Sequence, residues 1–277
     1  MRSVQRLFKI AHPRRPQLYR SITSSLPPTI ASSTPSGPSF DPFANDDFLL
    51  YPSFFNLSEC RQLIKASLWK LDRSDTSRRR RRNTFPSPDG RDEQGLQDLF
   101  HGEYGFEEGH FDSVINHYRE SLLSSFPPPS PSWPDLIPLL NRAYALLPSS
   151  PQITNQTPPR EALTHLLHLA PKGEILPHVD NLDASGGIIV GICLGAERIL
   201  RLKRKSGQGG GKENGDGNKG WDVVLPNGSI YVQSGKVRYG YEHSILPYLQ
   251  TRGVKDLVPG HRISIMIRDA PEKPARL

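Results

Sequence analysis

The chain has 277 residues, 35 basic against 28 acidic, and two cysteines. Cys60 and Cys193 alone exclude a disulfide scaffold or a multi-cysteine zinc module, and the longest apolar run, Gly187 to Gly195, is too short to span a bilayer, so no integral membrane association is expected. The net charge of +7 comes almost wholly from Arg2, Arg6, Lys9, Arg14, Arg15 and Arg20, so it describes the leader and is no argument for a nucleic-acid partner.

The first forty residues contain no acid. If Met1 to Ala11 were helical, Val4, Leu7, Phe8 and Ala11 would share a face, with the basic residues largely elsewhere. A basic, amphipathic, acid-free start is the composition of a mitochondrial presequence, and it predicts a matrix location. Residues 1–40 therefore read as presequence and disordered leader, and 41–277 as a single domain.

The front of that domain, 41–160, reads as helical, broken by arginine-rich and proline-rich loops. Leu57, Cys60, Leu63, Ile64, Leu68 and Leu71 repeat at three and four, which predicts a helix over Ser58 to Leu71 with Ser58 as its N-cap. Arg78 to Arg82 follow, most simply a solvated loop. Phe111, Val114, Ile115, Tyr118 and Leu122 predict a second helix, stopped by the prolines of 127–134. Leu136, Leu140, Ala143, Tyr144 and Leu147 predict a third.

After Glu161 the pattern changes to short apolar or alternating runs: Leu163–Leu169, Glu174–Val179, Gly187–Leu194, Arg198–Arg204, Asp222–Leu225, Gly228–Gln233, Val237–Tyr241 and Arg262–Arg268. About eight short strands between glycine, proline and asparagine turns predict a jelly roll over 161–270. The fold class is thus α+β, a double-stranded β-helix flanked by two or three helices. Residues 206–220 hold seven glycines in fifteen positions and read as a flexible insertion between two strands. They lack the Gly-Lys-Ser/Thr ending of a phosphate loop.

The chemistry concentrates in the stranded half. His178-Val179-Asp180 places an imidazole and a carboxylate two residues apart, hence on one face of a strand. His243 is the best candidate for a third ligand. Two histidines and one carboxylate occupy one face of an octahedral ion and leave three positions open, the arrangement of non-haem Fe(II) oxygenases. In Arg262-Ile-Ser-Ile-Met-Ile-Arg268 the arginines share a face with Ser264 and Met266, and the isoleucines take the other. An arginine turned toward a core is costly unless it meets an anion, and a dicarboxylate such as 2-oxoglutarate could chelate the metal at one end and pair with arginine at the other. The remaining histidines, His101, His110, His117, His165, His168 and His261, read as structural, and Cys193 as a small core residue.

These pieces together resemble the AlkB-type Fe(II)/2-oxoglutarate dioxygenases, with the nearer likeness to the mitochondrial AlkB homologue seven subfamily. The resemblance rests on RRRRR at 78–82, FDSVINHYRE at 111–120, ILPHVDN at 175–181, PNGSIYVQSGKVRYGYEHSILP at 226–247 and GHRISIMIRD at 260–269. It implies His178, Asp180 and His243 as iron ligands and Arg262 on the distal carboxylate of 2-oxoglutarate. Arg268 would lie nearer the metal, toward the proximal carboxylate, and Tyr231 would donate its hydroxyl to the cosubstrate. Fe(II), 2-oxoglutarate and O2 would be required, with hydroxylation or demethylation of a protein-linked substrate as the outcome and a place in mitochondrial fat metabolism and programmed necrosis. Nucleic-acid-repairing members carry an Asn-x-Tyr where this chain has Leu167 and Leu169, which argues against base repair. Two other readings are a demethylase of mitochondrial RNA and a low-turnover jelly-roll interaction module that keeps the metal.

Overall fold

The computed structural model describes residues 46–74, 95–109, 114–182, 185–205, 220–251 and 257–270. The leader, Arg78 to Arg82 and the glycine-rich insertion apart from Gly220 lie outside the described residues. Nine strands form one antiparallel sheet: β1 Phe48–Tyr51, β2 Ile115–Leu122, β3 Ala162–His178, β4 Ile189–Gly195, β5 Arg198–Arg204, β6 Gly220–Leu225, β7 Ser229–Gln233, β8 Tyr241–Ile245 and β9 Arg262–Asp269. Their order is β1-β7-β4-β9-β3-β8-β5-β6, with β2 added alongside β3. Among the described residues three α-helices accompany them, α1 Leu57–Ser74, α2 Leu136–Tyr144 and the short α3 Gly235–Gly240. This is the α+β jelly roll that the strand pattern predicts. No helix among the described residues is long and apolar enough to cross a membrane.

Strand alternation builds two cores, one on each side of the sheet. Val190, Ile192 and Leu194 of β4 and Ile263, Ile265 and Ile267 of β9 pack under α1 and α2, against Cys60, Leu63, Ile64, Leu140 and Ala143. The alternate residues, Ile189, Cys193 and Met266, turn into the curl of the sheet and meet Leu167, Leu169, Leu200, Leu202, Tyr231 and Ile245. Both faces of β9 are buried from Arg262 to Ile267, so Arg262 on its inner face has no water to turn to, while Arg268 at the far end is partly exposed. Helix α1 starts one residue earlier than expected. Asn56, not Ser58, caps it: its Oδ1 accepts the Glu59 N–H at 2.9 Å, and Glu59 Oε2 accepts the Asn56 N–H at 2.9 Å.

The curl is made by β3. Its first arm pairs with β9 over Ala162 to Leu169, and its second pairs with β8 at Ile175 and His178. Strand β2 runs beside both arms, with a bulge at His117, where φ is 52°. Gly173 admits that bulge, since a Cβ there would stand 2.8 Å from the His117 carbonyl oxygen. The sequence pattern splits this strand in two at Ala170–Gly173, and these four residues do lie outside the ladder, as a bulge opposite His117 within one continuous strand.

Two other elements differ from expectation. The run Phe111 to Leu122 is not a helix: from Ile115 it is strand β2. The register jumps at His117, and Ile115 and Tyr118, three apart, face the same core, so the period-two alternation is broken and the spacing looks helical. The run Val237 to Tyr241 is not a strand: α3 occupies 235–240 and the strand starts at Tyr241. Val237 and Tyr241, four apart, are both buried, and Gly235 opens the turn with φ 52°. The third helix ends at Tyr144, three residues short of Leu147, and β1 has no counterpart in the sequence reading.

Candidate metal and cosubstrate site

The bent strand sets one end of the site. His178 is the last residue of β3 and stands directly opposite His243 of β8, with ring centroids 4.2 Å apart. Asp180 lies two residues beyond, in the segment leading to β4. One ligand atom from each of the three lies within 4.8 Å of the others. Ligands held at about 2.0–2.2 Å from a single ion sit only about 3 Å apart when adjacent, so the three side chains are close enough to share one.

Their protonation suits a cation. His178 Nδ1 faces the Leu176 carbonyl oxygen at 2.9 Å. A carbonyl only accepts, so Nδ1 is the donor there, and Nε2 is the nitrogen turned toward Asp180, 3.7 Å from its Oδ1. Burial, and then the neighbouring His178, bring His243 down to about 3, which leaves that imidazole neutral. Burial alone would raise the Asp180 carboxyl, but His178, Arg268 and His243 together outweigh it and hold it well below the usual carboxylate range. Arg268 grips that carboxylate through Nη2 at 3.1 Å and Nε at 3.4 Å. Two imidazoles and an ionised carboxylate are the donor set a divalent cation takes.

The other end of the site is built around Arg262. Its side chain is 1% exposed. Nε donates to Ser264 Oγ at 3.2 Å, Nη2 contacts Cys193 Sγ at 3.0 Å, and Nη1 has no partner. No carboxylate pairs with it among the described residues. A second buried guanidinium, Arg198, donates through Nη2 to the carbonyls of Ala170, Pro171 and Gly260, and its Nε is likewise unpartnered. Burial and then the charge of Arg262 bring Arg198 down to about 10. Two desolvated cations with unspent donors and no carboxylate bonded to them among the described residues are costly as they stand, and a carboxylate is the group that fits. The residues therefore suit both a metal ion and a dicarboxylate.

Between the two ends lies the inner face of β9 and its neighbours. Ser264 pairs in register with Cys193, and Gly191 with both Met266 and Tyr231. Gly191 has no side chain because the Tyr231 ring occupies that space; any Cβ would overlap it. The ring stacks on Phe48 at 5.8 Å, and its hydroxyl reaches Met266 Sδ at 3.5 Å. Burial raises the Tyr231 phenol, so it stays protonated and able to donate. Leu167 and Leu169, opposite Ser264 and Arg262 on β3, are buried on this face and offer no donor.

Residues 47–268 match the model of the 2OG-Fe(II) oxygenase superfamily. The chain belongs to that superfamily. It is a family of oxidoreductases that use Fe(II), 2-oxoglutarate and O2. Two curated relatives, from Mus musculus and Bos taurus, both carry the name alpha-ketoglutarate-dependent dioxygenase alkB homolog 7, mitochondrial. They are 27% and 29% identical over 168 and 169 residues, which is 60% of this chain. The match spans 66% of each relative, slightly less than two thirds of its length. Among solved structures, a Pseudomonas putida prolyl-4-hydroxylase aligns with TM-score 0.47 and 10% identity, covering 84% of this chain and 96% of that one.

All six residues singled out in the sequence lie in this region. His178, Asp180 and His243 converge, Arg268 joins them through Asp180, and Arg262 and Tyr231 lie deeper along the same inner face. Sequence reasoning missed Cys193, assigned to the core but set against Arg262, and Arg198, which the strand pattern leaves without a role. It also missed Gly191, legible only once its register with Tyr231 is known.

Proposed function

We propose that this chain is an Fe(II)/2-oxoglutarate-dependent dioxygenase in which His178, Asp180 and His243 hold the metal. The observation that carries the reading is the buried Arg262 guanidinium, with Nη1 unspent, on the same inward face of β9 as the arginine that grips Asp180. Arg262 takes the distal carboxylate of 2-oxoglutarate, and Ser264 and Cys193 set the plane of its guanidinium. Arg268 keeps Asp180 ionised and lies nearer the proximal carboxylate. The Tyr231 hydroxyl is free to turn from Met266 to the cosubstrate. Bound iron with 2-oxoglutarate and O2 supplies oxidative decarboxylation to succinate and CO2, coupled to oxidation of a substrate C–H bond. The apolar inner face made by Leu167, Leu169, Met266 and Ile245 keeps water from the reaction.

The same reading places the protein in mitochondria, supported by the names of the two relatives and the acid-free basic leader. Its substrate is protein-linked, hydroxylated or demethylated, in a role tied to fatty-acid metabolism and necrosis. Leu167 and Leu169 support this over a nucleic-acid demethylase, because neither offers a hydrogen bond.

The test is an anaerobic titration with Fe(II) and then 2-oxoglutarate, followed by the visible charge-transfer band of the chelate. The band is expected in the wild type and lost in His178→Ala. Iron uptake without a band would sink the cosubstrate assignment. Comparing 2-oxoglutarate consumption in the presence of mitochondrial protein extract and of methylated RNA then separates the substrate classes.

A further inference from the structure

Asp180 is a ligand on a turn, and a turn holds a side chain in place only if the turn itself is held. Two elements grip its described residues. From α3, Arg238 is 2% exposed and spends its guanidinium on this one segment. Nη1 donates to the Asp180 carbonyl at 3.1 Å, Nη2 to Ser185 Oγ at 2.8 Å, and Nε to the Gly186 carbonyl at 3.3 Å. Ser185 Oγ in turn donates to the Asn181 carbonyl at 3.2 Å. From the end of β9, the Asp269 carboxylate accepts the N–H groups of Gly187 at 3.1 Å and Ile188 at 2.8 Å, and the Asp269 carbonyl accepts that of Gly186 at 2.8 Å. Asp269 directly follows Arg268, which grips the Asp180 carboxylate. A side chain at Gly186 would run into the Asp269 carboxylate at 2.6 Å.

The placement of Arg238 is informative because all three of its nitrogens serve one segment. A buried guanidinium loses its hydration, and here its three nitrogens all donate into one segment, to two carbonyls and a hydroxyl, while its charge also favours the ionised Asp269 carboxylate on the other arm of the clamp. The fork joins the Asp180 carbonyl to the Ser185 hydroxyl and the Gly186 carbonyl, five and six residues on, so it defines where the Asp180 main chain sits.

We propose that Arg238 is a positioning residue for the metal site: it fixes the main chain of Asp180, as Arg268 fixes the carboxylate, so the ligand is posed before the ion arrives. Asp269 closes the same clamp from the opposite side. The inference rests on the reading of His178, Asp180 and His243 as metal ligands.

The test uses the full chain with Arg238→Met, Arg238→Lys and Asp269→Asn, and two readouts. One is amide hydrogen exchange in the metal-free protein. The other is affinity for Co(II), a redox-stable probe, read by its visible absorption. Arg238→Met is expected to speed exchange at Ser185 to Ile188, leave β4 and β9 protected, and weaken Co(II) binding about tenfold to a hundredfold, the usual cost of losing an outer-shell partner. Arg238→Lys keeps the charge but not the three-way fork and should fall between. Asp269→Asn should loosen the same amides. Unchanged Co(II) affinity in Arg238→Met, or unchanged exchange at the turn, overturns the proposal. If Arg238→Met does not fold, Arg238→Lys carries both readouts, and wild-type values there overturn it equally. If the wild-type protein takes up no Co(II), the ligand assignment is what has failed, a result distinct from binding that ignores Arg238.

Discussion

Arg262 has three nitrogens to satisfy, and the protein satisfies two of them with weak or neutral partners, a serine hydroxyl and a thiol. A carboxylate at the third would make the strongest bond in its environment. Arg262→Ala should therefore raise the 2-oxoglutarate requirement by roughly tenfold to a hundredfold, as expected for loss of a hydrogen bond to a charged group, while Fe(II) affinity stays at the wild-type value. Steady-state KM for 2-oxoglutarate, measured beside metal titration, checks the split. At Gly191 the relation is steric. A methyl group would displace the Tyr231 ring, so Gly191→Ala should cost about 1–3 kcal/mol as an overpacked core does. It should also weaken 2-oxoglutarate binding, whereas Tyr231→Phe should leave stability nearly intact and weaken binding by less than Arg262→Ala does.

Strand β3 is the element on which the site turns. Its first arm lies in the ladder with β9 and its second in the ladder with β8, so the bend at Ala170–Gly173 decides whether His178 meets His243. Arg198 staples the bend through the carbonyls of Ala170 and Pro171 and ties it to Gly260, beside Arg262. Gly173→Val, which meets the His117 carbonyl, should lower both the melting temperature and the metal affinity. Asn56→Ala removes the α1 cap, far from the bend, and should cost about 1 kcal/mol of stability with metal affinity unchanged. Thermal melts paired with metal titration separate the two, and equal losses of affinity would contradict the assigned role of the bend.

Across the whole molecule, the helix side of the sheet holds a polar network that the site does not use. Arg119 Nε donates to His168 Nδ1 at 2.9 Å, and Arg119 Nη1 pairs with Asp72 of α1 at 2.6 Å. His168 therefore carries its proton on Nε2, which faces His261 Nδ1 at 3.2 Å. Phe100, Tyr104 and Phe106 enclose the two rings. Burial, then Arg119 and His261, hold His168 well below its usual value, and burial with Arg119 and Arg198 brings His261 down to about 4. The unfolded chain takes up these protons near pH 6.5, roughly the unperturbed value, and the folded chain resists them until about pH 4 or lower. Unfolded protein thus binds more protons in this window, so stability present above it is lost progressively as pH falls through it. Melting temperatures measured between about pH 7 and pH 4.5 should decline by several degrees, and His261→Asn should flatten the slope. A flat wild-type profile would contradict this.

Chemistry that depends on residue type was readable from the chain alone. His178-x-Asp180, His243 and the Arg262–Arg268 pair could be singled out as candidates because side chains able to bind a metal, and arginines on a core-facing strand face, are scarce and costly. The two faces of β9 could be separated because strand alternation has a period of two wherever nothing interrupts it. Where something does interrupt it, reading failed: the bulge at His117 disguised β2 as a helix, and the bend of β3 passed for a gap between strands. The turn α3 was hidden for a different reason. Its Val237–Tyr241 spacing is helical, but six residues carry too little pattern to outweigh neighbouring strands. The roles of Gly191, Cys193, Arg198 and Arg238 depend on partners on other strands and segments, across register that no local pattern encodes. Pairing across the curled sheet decided them, because burial and hydrogen bonding are properties of neighbours in space and not of neighbours in the chain.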